Sequence, residues 1–236
     1  MNKKQKAVLI TGAAQRLGLI LAQQCLTMGL AVIIHYRTSD KLARQWLKRH
    51  PAFESKVFFI CAELTTDTAA IMDAIQSLPL TLVGLINNAS IFTPGNLSDP
   101  NHFANTLAVN ALAPLALCDQ FCKQCGKGWI INITDAHIQS KNKRYQNYRI
   151  SKQFLQMLTE QLAFLYAPHI RVNAIAPGAL LVAQSEDSAS FKKLAHTIPL
   201  GITGDTKGLC RACEYLINAD SITGQCLYVD GGWHII

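Results

Sequence analysis

Charge is scarce in this chain: Asp, Glu, Lys and Arg make up 16% of its 236 residues, while half of them are apolar. That leaves ample material for a large core within one α/β unit. Basic residues outnumber acidic ones for a net charge of +7, yet no helix carries a basic stripe with interleaved aromatics, so nucleic acid is excluded and an anionic small ligand is expected. Long apolar runs are missing as well. The charge-free stretches contain Asn87, Asn88, Pro94, Asn110 and Pro114, which would be costly in a bilayer, and no membrane span is expected. The apolar segment after the Lys-rich start is too short for a signal peptide and breaks at Gln15-Arg16. Repeats, low-complexity tracts and long linkers are absent, so residues 1–236 read as a single domain.

Cysteine is not scarce. Eight are present, including Cys122-x-x-Cys125 and Cys210-x-x-Cys213, the spacing of zinc sites. Both pairs sit in segments of helical periodicity, with Cys118 and Cys122 one turn apart, so they read as apolar filler and no metal is expected. Reduced thiols without a secretion signal fit a cytoplasmic protein.

Short Val- and Ile-rich strands alternate with amphipathic segments. Strands are expected at Ala7 to Ile10, Ala31 to His35, Val57 to Ile60, Thr81 to Ile86, Trp129 to Ile133, Arg171 to Ile175 and Gln225 to Val229. Between them fall helices, including one long helix from about Pro100 to Cys125 and another from Tyr145 to Tyr166. This alternation predicts an α/β fold, a Rossmann-type doubly wound parallel sheet with helices on both faces and its ligand beyond the carboxyl ends of the strands. The segment 178–199 loses periodicity and reads as a substrate loop.

Two expected residues are lacking at the nucleotide end. The turn "TGAAQRLG" places Gly12 and Gly18 to present a helix N-terminus to phosphate, but Arg16 stands where such turns often carry a middle glycine. Arg16 reads as an ionic clamp on a pyrophosphate, with Leu17 beside it. Strand two ends in His35, Tyr36, Arg37, Thr38 and Ser39, without the acid that favours NAD. A cation with two hydroxyls favours a 2′-phosphate, hence NADPH.

"YRISK" puts Tyr148 and Lys152 on one helix face, where a neighbouring ammonium eases proton loss from a phenol. Asp135 ends strand five thirteen residues earlier, "NNASIF" ends strand four, and Asn110 lies in "VNALAP". With the glycine turn and "IAPG", these pieces resemble the short-chain dehydrogenase/reductase family along essentially the whole chain.

The resemblance implies that Tyr148 donates a proton, that Lys152 binds the nicotinamide ribose and lowers the tyrosine pKa, and that Asn110 has a structural and water-relay role. It puts Asn88, Ala89, Ile175, Pro177 and Gly178 near the cofactor. Glu63 with Leu64 takes the place of a common Asp at the adenine edge. The family usually carries serine where this chain has Asp135. An ionised carboxylate repels charge developing on a carbonyl oxygen but accepts from amino and ring N–H groups, so a nitrogen-containing substrate is expected. Arg16, the "HYR" ending, "NNAS" followed by Phe92, and Asp135 together resemble the pteridine reductase branch, with its dihydromonapterin reductases. That implies a pterin or folate substrate stacked on Phe92, with Ser90, Arg16, Asp135 and Tyr148 around it. Tyr148, Asp135 or a water supplies the proton. His137 lies close to Asp135, within reach of a substrate, but the expectation is a surface histidine. The alternatives are reduction of 3-oxoacyl thioesters or sugars, which normally calls for a hydroxyl at position 135, and a non-catalytic NADPH sensor, which would gain little from Tyr148 and Lys152. The resemblance further implies a homodimer or homotetramer paired through the helices around Asn110 and Phe154.

Overall fold

The computed structural model describes residues 4–140, 143–180, 193–203 and 205–236. Seven strands form one parallel sheet: β1 (Gln5–Ile10), β2 (Ala31–Tyr36), β3 (Val57–Cys61), β4 (Leu80–Asn87), β5 (Gly128–Ile133), β6 (Ile170–Pro177) and β7 (Cys226–Val229). Their order is β3-β2-β1-β4-β5-β6-β7. The order reverses between β1 and β4, which opens a crevice at the carboxyl ends of those two strands.

Period-two alternation in β1 explains the layers. Val8 and Ile10 face α1 (Arg16–Thr27) and α7 (Thr206–Asn218), packing on Leu21, Cys25, Leu209 and Cys213. Ala7 and Leu9 face the other way, toward Ile71 and Met72 of α3 (Thr68–Gln76), Leu117 and Phe121 of α5 (Ala113–Gln124) and Leu162 of α6 (Gln146–Leu165). Both faces are covered, so the strand is a continuous apolar run, as parallel sheets require. Arg171 closes the far end of α7, donating to the Leu216 and Ile217 carbonyls at 2.7 and 2.8 Å.

The helix expected from Pro100 to Cys125 is interrupted. It is built as α4 (Pro100–Leu107), a π-helical turn over Ala108–Leu112, and α5. Pro114 has no N–H for the Asn110 carbonyl and its ring would crowd that oxygen, so the helix widens and the Ala113 N–H bonds instead to Ala108 O. A short 3₁₀ turn at Pro51–Lys56, after α2 (Lys41–Arg49), was also not apparent in the sequence. Of the expected substrate loop, residues 181–192 lie outside the described residues.

Among the described residues, no helix is long and apolar enough to cross a membrane and no three His, Cys, Asp or Glu side chains gather as metal ligands. All eight cysteines are free thiols. Burial pushes Cys118 up to about 12, which keeps it protonated and unreactive.

Candidate active site

A cavity of about 740 Å³ occupies the crevice. Its nucleotide end is built by the turn after β1. Gly12 sits at φ +62°, and a Cβ on Gly18 would collide with the Gly12 carbonyl, with Asn88 Nδ2 at 2.6 Å and with Ala13 Cα at 2.8 Å. Thr11 Oγ1 accepts from the Asn88 and Ala89 N–H groups at 2.9 and 3.0 Å, and Asn88 Nδ2 donates back to the Thr11 carbonyl at 2.8 Å. This close approach of two backbones leaves a cradle that only glycine permits, and it fits a dinucleotide phosphate against the α1 N-terminus. Gly18→Ala is expected to lose about 1–3 kcal/mol of stability from overpacking. Urea unfolding with a parallel NADPH titration checks this; unchanged affinity and unchanged stability would remove the cradle.

Arg16 takes φ +50°, the conformation a middle glycine would adopt freely. The arginine therefore keeps the backbone shape of the glycine turn while its side chain lines the cavity. His35 lines the nucleotide end of the cavity and also braces the turn. It is 2% exposed, its Nδ1 accepts the Gly12 N–H at 3.3 Å, and Nε2 donates to the Ala62 carbonyl at 3.1 Å. It pins the turn to β2 and β3, and burial lowers its pKa so that the ring stays neutral. Tyr36, Arg37, Thr38 and Ser39 follow along the cavity wall, with Arg37 3.8 Å from Glu63 at the exposed rim and Leu64 beneath.

At the other end, Asp135 follows β5 and Tyr148 and Lys152 rise from α6. The Tyr148 hydroxyl donates to Asp135 Oδ2 at 2.8 Å, and Asp135 Oδ1 accepts the His137 N–H at 2.7 Å. Lys152 Nζ donates to the Ile133 carbonyl at 2.7 Å and lies 5.8 Å from the Tyr148 ring centroid. The expected lowering of the tyrosine pKa is thereby corrected. Burial raises Tyr148 well above its ordinary value, and the nearer charge, on Asp135, is negative and pushes the same way. Burial also raises Asp135, against the His137, Tyr148 and Lys152 contacts, and draws Lys152 down to about 8. Burial and the Asp135 charge therefore favour the protonated form of the Tyr148 hydroxyl.

Asn110 is fully buried and does not line the cavity. From the π-helical turn its side chain clamps Ile91, accepting from the N–H at 2.7 Å and donating to the carbonyl at 3.0 Å, and reaches Ser151 Oγ at 2.9 Å. It acts on the site by fixing the chain beside Ser90 and Phe92. Asn147 and His102 complete this brace: Asn147 Nδ2 donates to His102 Nδ1 at 2.8 Å, and the ring reaches Thr93 Oγ1 at 2.9 Å.

Phe92 is 48% exposed and stacked on Tyr145, centroids 4.5 Å apart at 7°, with its edge on Tyr148. His137 is not on the open surface as expected; it lines the cavity and stacks on Trp233 at 4.0 Å and 19°. Tyr145, Arg149 and Trp233 are wall residues that sequence reasoning missed. A signal for the last existed in "DGGW": Asp230, buried, accepts from Gly232 N at 3.0 Å and from His234 N and Nδ1 at 2.7 and 2.8 Å, which turns the tail so that Trp233 meets His137.

The fold and this cavity define a dinucleotide-dependent oxidoreductase. Residues 6–192 match the model of the short chain dehydrogenase family, and the chain belongs to that family. It is 29% identical to a 3beta-hydroxysteroid dehydrogenase 1 of Eggerthella lenta over 97% of this chain and 94% of that one. It is 28% identical to a dihydromonapterin reductase of Enterobacter sp. over 98% of each. A solved structure of FolM alternative dihydrofolate reductase 1 from Brucella canis, complexed with NADP, superposes with a TM-score of 0.91 at 28% identity, covering 98% of this chain and 94% of that one.

Proposed function

We propose that this chain reduces a dihydropterin, of the dihydromonapterin, dihydrobiopterin or dihydrofolate type, to its tetrahydro form with NADPH. The observation that carries the reading is the Asp135 carboxylate bonded to the Tyr148 hydroxyl between two aromatic stacks, where a carbonyl reductase would present an uncharged donor. NADPH supplies the hydride when bound. Arg16 and the α1 N-terminus hold its pyrophosphate, Arg37, Thr38 and Ser39 its 2′-phosphate, and Lys152 its nicotinamide ribose, beside Pro177 and Gly178. Phe92 and Trp233 accept a flat ring, and Asp135 takes its amino and ring N–H groups. The ring nitrogen receives its proton from the Tyr148–Asp135 pair, whose titration steps belong to both groups.

Initial rates of NADPH oxidation with 7,8-dihydropterins, an acetoacetyl thioester, a ketosteroid and an aldose test the reading. Turnover confined to dihydropterins is expected; faster thioester or steroid turnover overturns it. Arg37→Ala is expected to raise the KM for NADPH by about 10-fold or more, the scale of a lost charge-assisted bond, and that for NADH by less. Equal losses would sever Arg37 from the 2′-phosphate. The apolar side chains left exposed along α6 and the π-helical turn, Leu112, Met157, Phe164 and Leu165, support pairing of two copies through this face.

A further inference from the structure

The substrate end of the cavity contains a cation that makes no direct bond among the described residues. Arg149 lies one residue past Tyr148 on α6 and lines the cavity with Asp135, His137 and Trp233. Its guanidinium forms no hydrogen bond or ion pair with any described residue. Neither acid on the cavity wall bonds to it, although the Asp135 charge acts on it through space. Glu63 faces Arg37 at the nucleotide end, and both oxygens of Asp135 accept bonds from His137 and Tyr148. Arg149 is half-buried, and burial lowers its pKa, but a guanidinium keeps its charge at any working pH. Burial holds His137 below its ordinary value, with the Asp135 charge opposing and the Arg149 charge assisting, so that stretch of wall keeps a guanidinium whose N–H groups bond to no described side chain.

A planar fork beside an aromatic slot suits a carboxylate carried by the ligand. The phosphates of a dinucleotide belong at the opposite end, at the α1 N-terminus and Arg37. Building on the dihydropterin reading, we propose that Arg149 is a specificity-determining residue that binds a carboxylate on the substrate's side chain. The enzyme then favours folate-type dihydropterins, whose side chain ends in an amide-linked glutamate with two carboxylates, over those with neutral polyol side chains.

The test measures kcat and KM with NADPH for dihydrofolate and for dihydrobiopterin in wild type, Arg149→Ala and Arg149→Lys. With Arg149→Ala, KM for dihydrofolate is expected to rise about 10–100-fold, the scale of a lost bond between charged groups, with kcat little changed. KM for dihydrobiopterin should stay near its wild-type value, and Arg149→Lys should restore part of the dihydrofolate affinity. Equal losses on both substrates, or no loss on either, overturn the role of Arg149 while the reductase reading stands. If wild type turns over neither pterin, the reductase reading falls and this proposal with it.

Discussion

Tyr148→Phe is expected to lower turnover of a dihydropterin by about 10²–10⁴-fold, the usual worth of a positioned proton donor. The loss should appear in kcat, with NADPH affinity nearly unchanged, because the phenyl ring keeps its packing against Phe92 and only the hydroxyl is removed. A second consequence separates this site from one where tyrosine works alone. The hydroxyl donates to Asp135 at 2.8 Å, so its removal leaves a buried carboxylate oxygen without a donor, at a cost of about 1–3 kcal/mol. Thermal unfolding of Tyr148→Phe, Asp135→Asn and the double variant should then be non-additive. Additive effects would mean that the two side chains do not act together.

Asp135→Asn is expected to abolish most turnover, by about 10²-fold or more, and yet to stabilise the fold. Burial raises the folded pKa of Asp135 above the unfolded value. Between those two values the folded state holds a proton that the unfolded state has released, so wild-type stability falls as pH rises from near 3.8 upward. The amide carries no such penalty and keeps an oxygen for the Tyr148 hydroxyl. The two proteins should unfold alike in acid and diverge toward neutrality, with the variant ahead by about 2–4 °C for each kcal/mol gained. A variant less stable at pH 7 would show that the contacts to His137 and Tyr148 outweigh the burial of charge.

Much of this architecture was legible in the sequence for a physical reason. A strand covered on both faces must be apolar throughout, so Ala7 to Ile10 announced β1, and the glycine turn announced the helix N-terminus behind it. Other features depend on distances that a linear pattern does not carry. The four-residue spacing of Tyr148 and Lys152 was plain, but it hid that Asp135 is the nearer charge and that Lys152 is turned toward Ile133. That reversed the expected direction of the tyrosine pKa. The break at Ala108–Leu112 had a visible cause in Pro114, whose effect falls four residues upstream. Trp233 stands beyond the stretch that matches the family and reaches the cavity only because Asp230 turns the tail, a tertiary fact that no local periodicity encodes.

His35 acts as a latch that works only while its ring is uncharged. One lone pair on Nδ1 holds the Gly12 amide, so a second proton would set two donors against each other. Its folded pKa lies below 6.5, so the folded state resists protonation and loses stability as acidification proceeds beneath that value. Mild acid should therefore unfasten the dinucleotide end first, loosening the cofactor before the sheet itself gives way.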